Sequence, residues 1–562
     1  MTASTLASRT GGQVLVDALR LHGVDTAFCV PGESFLAAID AFHDARDVIR
    51  LIVCRQEGGA AHMAEAHGKL TGQPGICFVT RGPGATNASI GVHTARQDST
   101  PLILFVGQVA RDCMGREAWQ EIDYRHMFGH IAKWVDQIDD PRRIPEYISR
   151  AFHVATSGRP GPVVLALPED MLAEAVQVDD APPYRTAQAG PTPQAMAELR
   201  DLLAAAQRPL ALLGGGAWTR QASEDVAAFA HAHGLPVACA FRRQDLLDNR
   251  HDCYVGEAGL GMDPRLADRI RQADLILAIG PRMGETTTNG YALLDVPRPR
   301  QKLVHVHADP EELGRVYQAD LPINAGVAAF AREAARLEAP AVRRWAAWTE
   351  SARADYLDNL RPGPMPGGMD LGAVVAHLRE TLPPDSIITN GAGNYTLWVQ
   401  RFYQYRGVRT QLAPTSGTMG YGLPAAVAAK LRHPERTVVC FAGDGCFLMN
   451  GQELATAAHY KLNIIVIVVN NAMYGSIRMH QERHYPGRVC ATDLTNPDFV
   501  ALARAYGLHA ERVERTGDFA AAFDRAAKAG RPALLELPVS QDALSPRTTI
   551  AALRASAAKK GG

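Results

Sequence analysis

The 562-residue chain has no surplus of either charge: 58 basic against 59 acidic residues leave a formal net charge of −1. Holding a phosphate backbone needs a concentrated basic surface, so nucleic acid is not expected as a partner. Nine cysteines are scattered from Cys29 to Cys490 without a single CxxC pair. That spacing argues against a disulfide framework or a structural zinc site, and it suits a reducing cytosol. Residues 1–12 carry no apolar stretch behind a positive flank, so no secretory signal is expected. The longest apolar run, 464–469, falls far short of the ~20 residues of a membrane span. Short repeats and low-complexity tracts are absent too. What remains is a globular composition, 47% hydrophobic and 21% charged, expected in the cytoplasm with neither nucleic acid nor membrane as partner.

At ~100–200 residues per domain, the length implies three or four domains. Apolar runs at 51–54, 76–79, 102–106 and 163–167 are too continuous to be half exposed, and they read as buried parallel strands. Later runs at 210–213, 275–279, 304–306, 438–441 and 464–469 read the same way. Between them lie helix-favouring stretches such as 59–70. Strand–helix alternation predicts α/β layers over parallel sheets. Proline-rich seams at 179–193 and 361–368 look like connectors. The expected architecture is three doubly wound parallel-sheet α/β domains, at 10–178, 190–345 and 366–545.

The most informative stretch is 436–474. One strand ends in Gly443-Asp444-Gly445, and after a helical segment at about 450–460 the next ends in Asn470-Asn471, 27 positions beyond Asp444. If these strands are parallel neighbours, both loops emerge at the carboxyl edge, where such sheets bind ligands. A carboxylate and an amide oxygen then converge. Magnesium takes about six oxygens, few of them from protein and the rest from phosphate and water. Glycines at 443 and 445 would let the backbone approach a diphosphate. Alone, each half of this pattern is an ordinary turn; together, at this spacing, they match the thiamin diphosphate-binding signature.

Other segments carry the same resemblance. The strand 51–54 leads to Glu57 and a small-residue helix, and 80–87 (TRGPGATN) is a tight loop opening another. With 107–111, 118–121 (AWQE), 156–162 and 414–424 (PTSGTMGYGLP), these segments resemble the thiamin diphosphate-dependent enzymes of the acetolactate synthase-like branch. The resemblance implies thiamin diphosphate and Mg²⁺ as cofactors and a small-molecule 2-oxo acid as substrate. It implies a homodimer or homotetramer whose active sites lie at the subunit interface, with Glu57 and Asp444 contributed by different subunits. The implied activity is 2-oxo acid decarboxylation to an enamine that is protonated or ligated to a second carbonyl. A flavin-containing oxidase of the pyruvate oxidase type and a non-catalytic family member are the alternatives.

Residue roles follow from the same resemblance. Glu57 matches the carboxyl group that shares a proton with the aminopyrimidine; a low-dielectric pocket would favour its neutral form. Met419 matches the wedge between the two rings, and Gly417 the carbonyl at the pyrimidine edge. Asp444, Asn471 and the backbone oxygen of Met473 match the metal ligands. Pro31, Gly82, Asn87, Gly443, Gly445 and Tyr474 complete the implied cofactor contacts, and Gln120 joins the catalytic candidates. Some positions depart from acetolactate synthases. Ser476 and His480 stand where their acceptor loop carries methionine and tryptophan. Glu33 stands at about the place of an aspartate that assists aldehyde release in pyruvate decarboxylases. Gly214–Gly216 could hug a nucleotide phosphate, but the arginine- and aspartate-rich segment expected near 281–289 is replaced, so FAD stays an open question. Nineteen histidines, among them His62, His67 and His93, are read as structural, and none is assigned to a metal.

Overall fold

The computed structural model describes residues 7–561, with side chains described through residue 557. The start of the 1–12 stretch considered for a signal, residues 1–6, lies outside the described residues. The chain divides into two compact units, 1–187 and 188–562. The first seam spans this division. The middle and C-terminal sheets, on either side of the second seam, lie together in the second unit.

The first unit is built on a six-stranded sheet of β1 (Thr26–Cys29), β2 (Arg50–Val53), β3 (Gly75–Val79), β4 (Leu102–Gln108), β5 (Trp134–Gln137) and β6 (Pro162–Pro168), in the order 2-1-3-4-6-5. Every pairing is parallel. β3, β4 and β6 are buried at every position, as continuous apolar runs require. β2 differs from the sequence expectation. It is an edge strand with an exposed end, Val53 retaining 40% of its surface, because only one of its sides has a neighbour.

The second unit carries two sheets. The middle one holds β7 (Pro209–Leu213), β8 (Val237–Ala240), β9 (Tyr254–Ala258), β10 (Leu275–Ile279), β11 (Lys302–His307) and β12 (Leu321–Asn324), in the order 9-8-7-10-11-12. The last holds β13 (Ile387–Asn390), β14 (Gln411–Leu412), β15 (Val438–Gly443), β16 (Ile465–Asn470), β17 (His509–Arg512) and β18 (Ala533–Pro538), in the order 14-13-15-16-18-17. All these pairings are parallel as well. Three parallel-sheet α/β domains are therefore present, and the first and last share one strand order. No helix among the described residues is long and apolar enough to cross a membrane.

Candidate functional site

β15 and β16 are parallel neighbours with Gly443 opposite Val469, so the Asp444 and Asn471 loops leave the sheet side by side. Asp444 opens a one-turn helix, Asp444–Phe447, and is 2% exposed. Its Oδ1 accepts the Gly445 N–H at 2.9 Å and its Oδ2 the Asn496 amide at 2.8 Å. Burial pushes its carboxyl above the ordinary aspartate range, while Asn496 and the N–H groups of Gly445, Ala472 and Met473 pull the other way. Asn471 Oδ1 accepts the Met473 N–H at 3.2 Å across Ala472, which turns the chain at φ +52°.

These loops face one cavity of about 230 Å³ that opens to solvent. Its lining brings together Gly417, Met419, Gly443, Asp444, Gly445, Asn471, Met473 and Tyr474, eight residues the sequence singles out. Met419 is half-buried and packs on the C-terminal core, so it combines a core contact with a cavity face. The glycines have a local cause as well. A Cβ on Gly443 would lie 2.9 Å from the Tyr395 ring, and one on Gly445 2.6 Å from the Tyr474 ring. Gly417 sits at φ +69°, where a side chain is strained, with nothing within 4 Å of its missing Cβ. A carboxylate, an amide oxygen and open glycine backbone on one cavity form a donor set that fits a hard cation bridging to a diphosphate.

Several members of this site were not legible in the motifs. Asn496 arrives from a segment that runs antiparallel to the Asn471 loop: Met473 bridges Asp493, and the Leu494 N–H donates to the Ala472 carbonyl. Its amide donates to both Asp444 Oδ2 and Asn470 Oδ1, at 2.8 and 3.0 Å, and Asn470 in turn donates to the buried Glu536 at 2.8 Å. Tyr395 and Cys446 form a second brace. The Tyr395 hydroxyl accepts the Gly391 N–H at 3.0 Å and lies 3.3 Å from Cys446 Sγ, which also accepts the Gly420 N–H. Asn394 and Ser476, both on the cavity wall, share a 2.8 Å hydrogen bond. His480 lies on an exposed face of the helix Gly475–His484 and does not line the cavity.

In the first unit, Glu57 is the first residue of the helix Glu57–Thr71 after β2, and Asn87 donates its amide to Glu57 Oε2 at 2.9 Å. Gly82 opens the helix Gly82–Asp98, and its N–H donates to the carbonyl of Gln120 at 2.9 Å. Gln120 itself stands at φ +67° with a buried side-chain oxygen that has no partner. Pro31 follows β1 and precedes the short turn Glu33–Phe35. Glu33 is not a free acid: Arg81, itself 5% exposed, donates to it at 3.1 Å and also binds Glu169. His62 is fully buried, and burial pushes its pKa down to about 3, which keeps it neutral.

The sequence matches the thiamine pyrophosphate enzyme N-terminal TPP binding domain over 9–127, the central domain over 196–334 and the C-terminal TPP binding domain over 391–537. It is 35% identical to the acetolactate synthase large subunit of Parasynechococcus marenigrum, covering 90% of this chain and 83% of that protein. The chain belongs to the thiamine pyrophosphate enzyme family. Two further relatives place it in the acetolactate synthase-like branch. The isozyme 2 large subunit of Escherichia coli K12 is 30% identical over 94% of this chain and 96% of its own length. The probable large subunit of Methanocaldococcus jannaschii is 32% identical over 94% and 92%. Within this family frame the middle domain's glycine run needs no ligand to explain it. A Cβ on Gly215 would lie 2.0 Å from the Gly280 carbonyl, and one on Gly214 2.8 Å from Pro281, so two loops close on each other there.

Proposed function

We propose that the protein is a Mg²⁺- and TPP-dependent carboligase acting on a 2-oxo acid, with Asp444, Asn471 and the Met473 carbonyl as metal ligands. The observation that carries this is the single cavity on which Asp444, Asn471, Gly417 and Met419 meet. TPP supplies a thiazolium carbon that adds to a keto carbon and accepts the electrons left by departing CO₂. The protein's own contributions are positional and electrostatic. Asp444 and Asn471, with the Met473 carbonyl, would hold the cation beside the diphosphate. Met419 would support the cofactor's rings, and the Gly417 carbonyl would accept a hydrogen bond from the pyrimidine edge. Glu57, whose Oε2 accepts the Asn87 amide, would exchange a proton with the cofactor's aminopyrimidine.

Glu33 is a candidate for assisting protonation at the reacting carbon. The acetolactate synthase relatives favour ligation as the outcome, and Glu33 is engaged by Arg81 at 3.1 Å. The enzyme is read as a cytoplasmic homo-oligomer in which Glu57 of one copy serves the Asp444 site of another. FAD is not assigned a place. The test is direct: enzyme, TPP and Mg²⁺ are incubated with a panel of 2-oxo acids, and products are identified by NMR. A 2-hydroxy ketone or acetohydroxy acid as main product supports the reading; free aldehyde as the dominant product replaces it with a decarboxylase.

A further inference from the structure

The middle sheet holds none of the proposed catalytic residues, yet it grips the strand that leads to the cofactor turn. The segment after β8 buries Arg242, Gln244, Asp245 and Asn249, each at most 5% exposed. Charged and amide side chains reach that burial when they are partnered, and many of the partners lie in the C-terminal sheet. The Gln244 N–H donates to Gln411 Oε1 at 2.8 Å, and Gln411 Nε2 donates back to Gln244 Oε1 at 3.2 Å. Asp245 Oδ2 accepts the N–H groups of Arg409, Thr410 and Gln411 at 2.7, 3.2 and 3.3 Å. β14 is thereby fixed two residues before Pro414.

Arg242 reaches the turn itself. Its guanidinium donates to the Pro414 carbonyl. The same carbonyl accepts the Gly417 N–H at 3.1 Å, closing the turn that holds Gly417 in the left-handed region. Arg242 also sits at φ +57°, a conformation costly for a side-chain-bearing residue. Its backbone N–H is held there by Glu257 Oε1 at 2.7 Å. Glu257 is a half-buried carboxyl pushed up to about 7 by desolvation, with the Arg242 N–H and charge opposing that rise.

We propose that Arg242 is a positioning residue: through the Pro414 carbonyl, the middle domain sets the turn that presents Gly417 and Met419 to the pyrimidine ring. This rests on the reading of residues 417–419 given above. It predicts a split that general damage would not produce, because Mg²⁺-pyrophosphate needs only the Asp444 half of the site whereas TPP needs both. In calorimetry on the full-length protein, Arg242→Gln should weaken TPP roughly 10-fold or more, the loss expected for one charged hydrogen bond. It should leave Mg²⁺-pyrophosphate affinity unchanged. Arg242→Lys, which keeps a cation and a donor, should recover part of the TPP loss, and it serves as the test if the glutamine variant fails to fold. Unchanged TPP affinity in both variants, or an equal loss of both ligands, overturns the proposal. Asp444→Ala is the control: if it binds both ligands normally, the site reading has failed, and Arg242 is not the cause.

Discussion

The first and last sheets have the same strand order and opposite equipment. In each, loops leave the carboxyl edge beside the point where the strand order turns back, the position at which such sheets bind ligands. After β2 the chain delivers a carboxyl group, Glu57; after the equivalent β14 it delivers the Gly417 turn and Met419. After β3 it opens a long helix at Gly82; after the equivalent β15 it opens one turn at Asp444, with the metal-type oxygens beside it. Under the proposed function, one scaffold carries an acid–base group, Glu57, in its first occurrence and the groups that would hold a diphosphate in its second. The strand order sets where the loops emerge, and the loop residues decide the chemistry.

The largest effect is expected at Asp444. Asp444→Ala should lower TPP–Mg²⁺ affinity by more than about 100-fold, beyond the cost of losing a residue that only supports a ligand; calorimetry checks this. On the other sheet, Glu57→Gln should bind TPP normally and slow exchange of the C2 proton by on the order of 10²–10⁴, the range for a lost proton-transfer group. Proton NMR of bound TPP in D₂O reads that rate. If both variants fail in binding, the division of labour between the sheets is wrong.

Asn496→Ala sharpens the picture by removing the amide that favours the charged form of Asp444. Metal affinity should fall roughly 10–100-fold. There is also a sign to check. Burial raises the Asp444 pKa, and a cation binds the carboxylate, so wild-type affinity should decline as pH falls through that raised value. Without the Asn496 hydrogen bond the pKa rises further, and the decline should begin at higher pH. Titrating Mn²⁺ by its paramagnetic effect on water relaxation across pH separates the two curves. The smallest effect is expected from Glu33→Gln. Its bridge to Arg81 is half-exposed and is worth about 1 kcal/mol or less, so stability should hardly change. The ratio of aldehyde to ligated product should move toward ligation only if Glu33 donates a proton. An unchanged ratio from product NMR leaves it a structural partner of Arg81.

How much of this was legible in the sequence depended on the distance over which each contact forms. Asp444 and Asn471 could be found because both directly follow apolar strands, and adjacent parallel strands bring their ends together. Met419 and Gly417 were found through the family segment around them. Asn496 was not found: it meets Asp444 from 52 positions away, in a segment without strand or helix periodicity. Its one signal was an Asn-Pro-Asp run leading into the helix Phe499–Ala505, where Asp498 is the N-cap. Arg242 reaches Pro414 across 172 positions and could be seen only once two sheets were packed. The edge position of β2 was missed for a related reason. Its apolar residues read as a central strand, but pairing partners are set by topology and not by composition. For the glycines at 443 and 445 the structure adds a local reason that the motif does not show: two tyrosine rings occupy the space their side chains would take.

Under the proposed function, the two like-ordered sheets of two copies of the chain equip one active site. Co-expressing Glu57→Gln and Asp444→Ala chains with different tags, and purifying through both tags, isolates mixed oligomers. In a mixed dimer one site would carry both substitutions and the other neither, so activity should return to about half the wild-type level, although each variant alone is inactive. If the mixed species stays as inactive as its parents, Glu57 and Asp444 do not meet across subunits, and the account is contradicted.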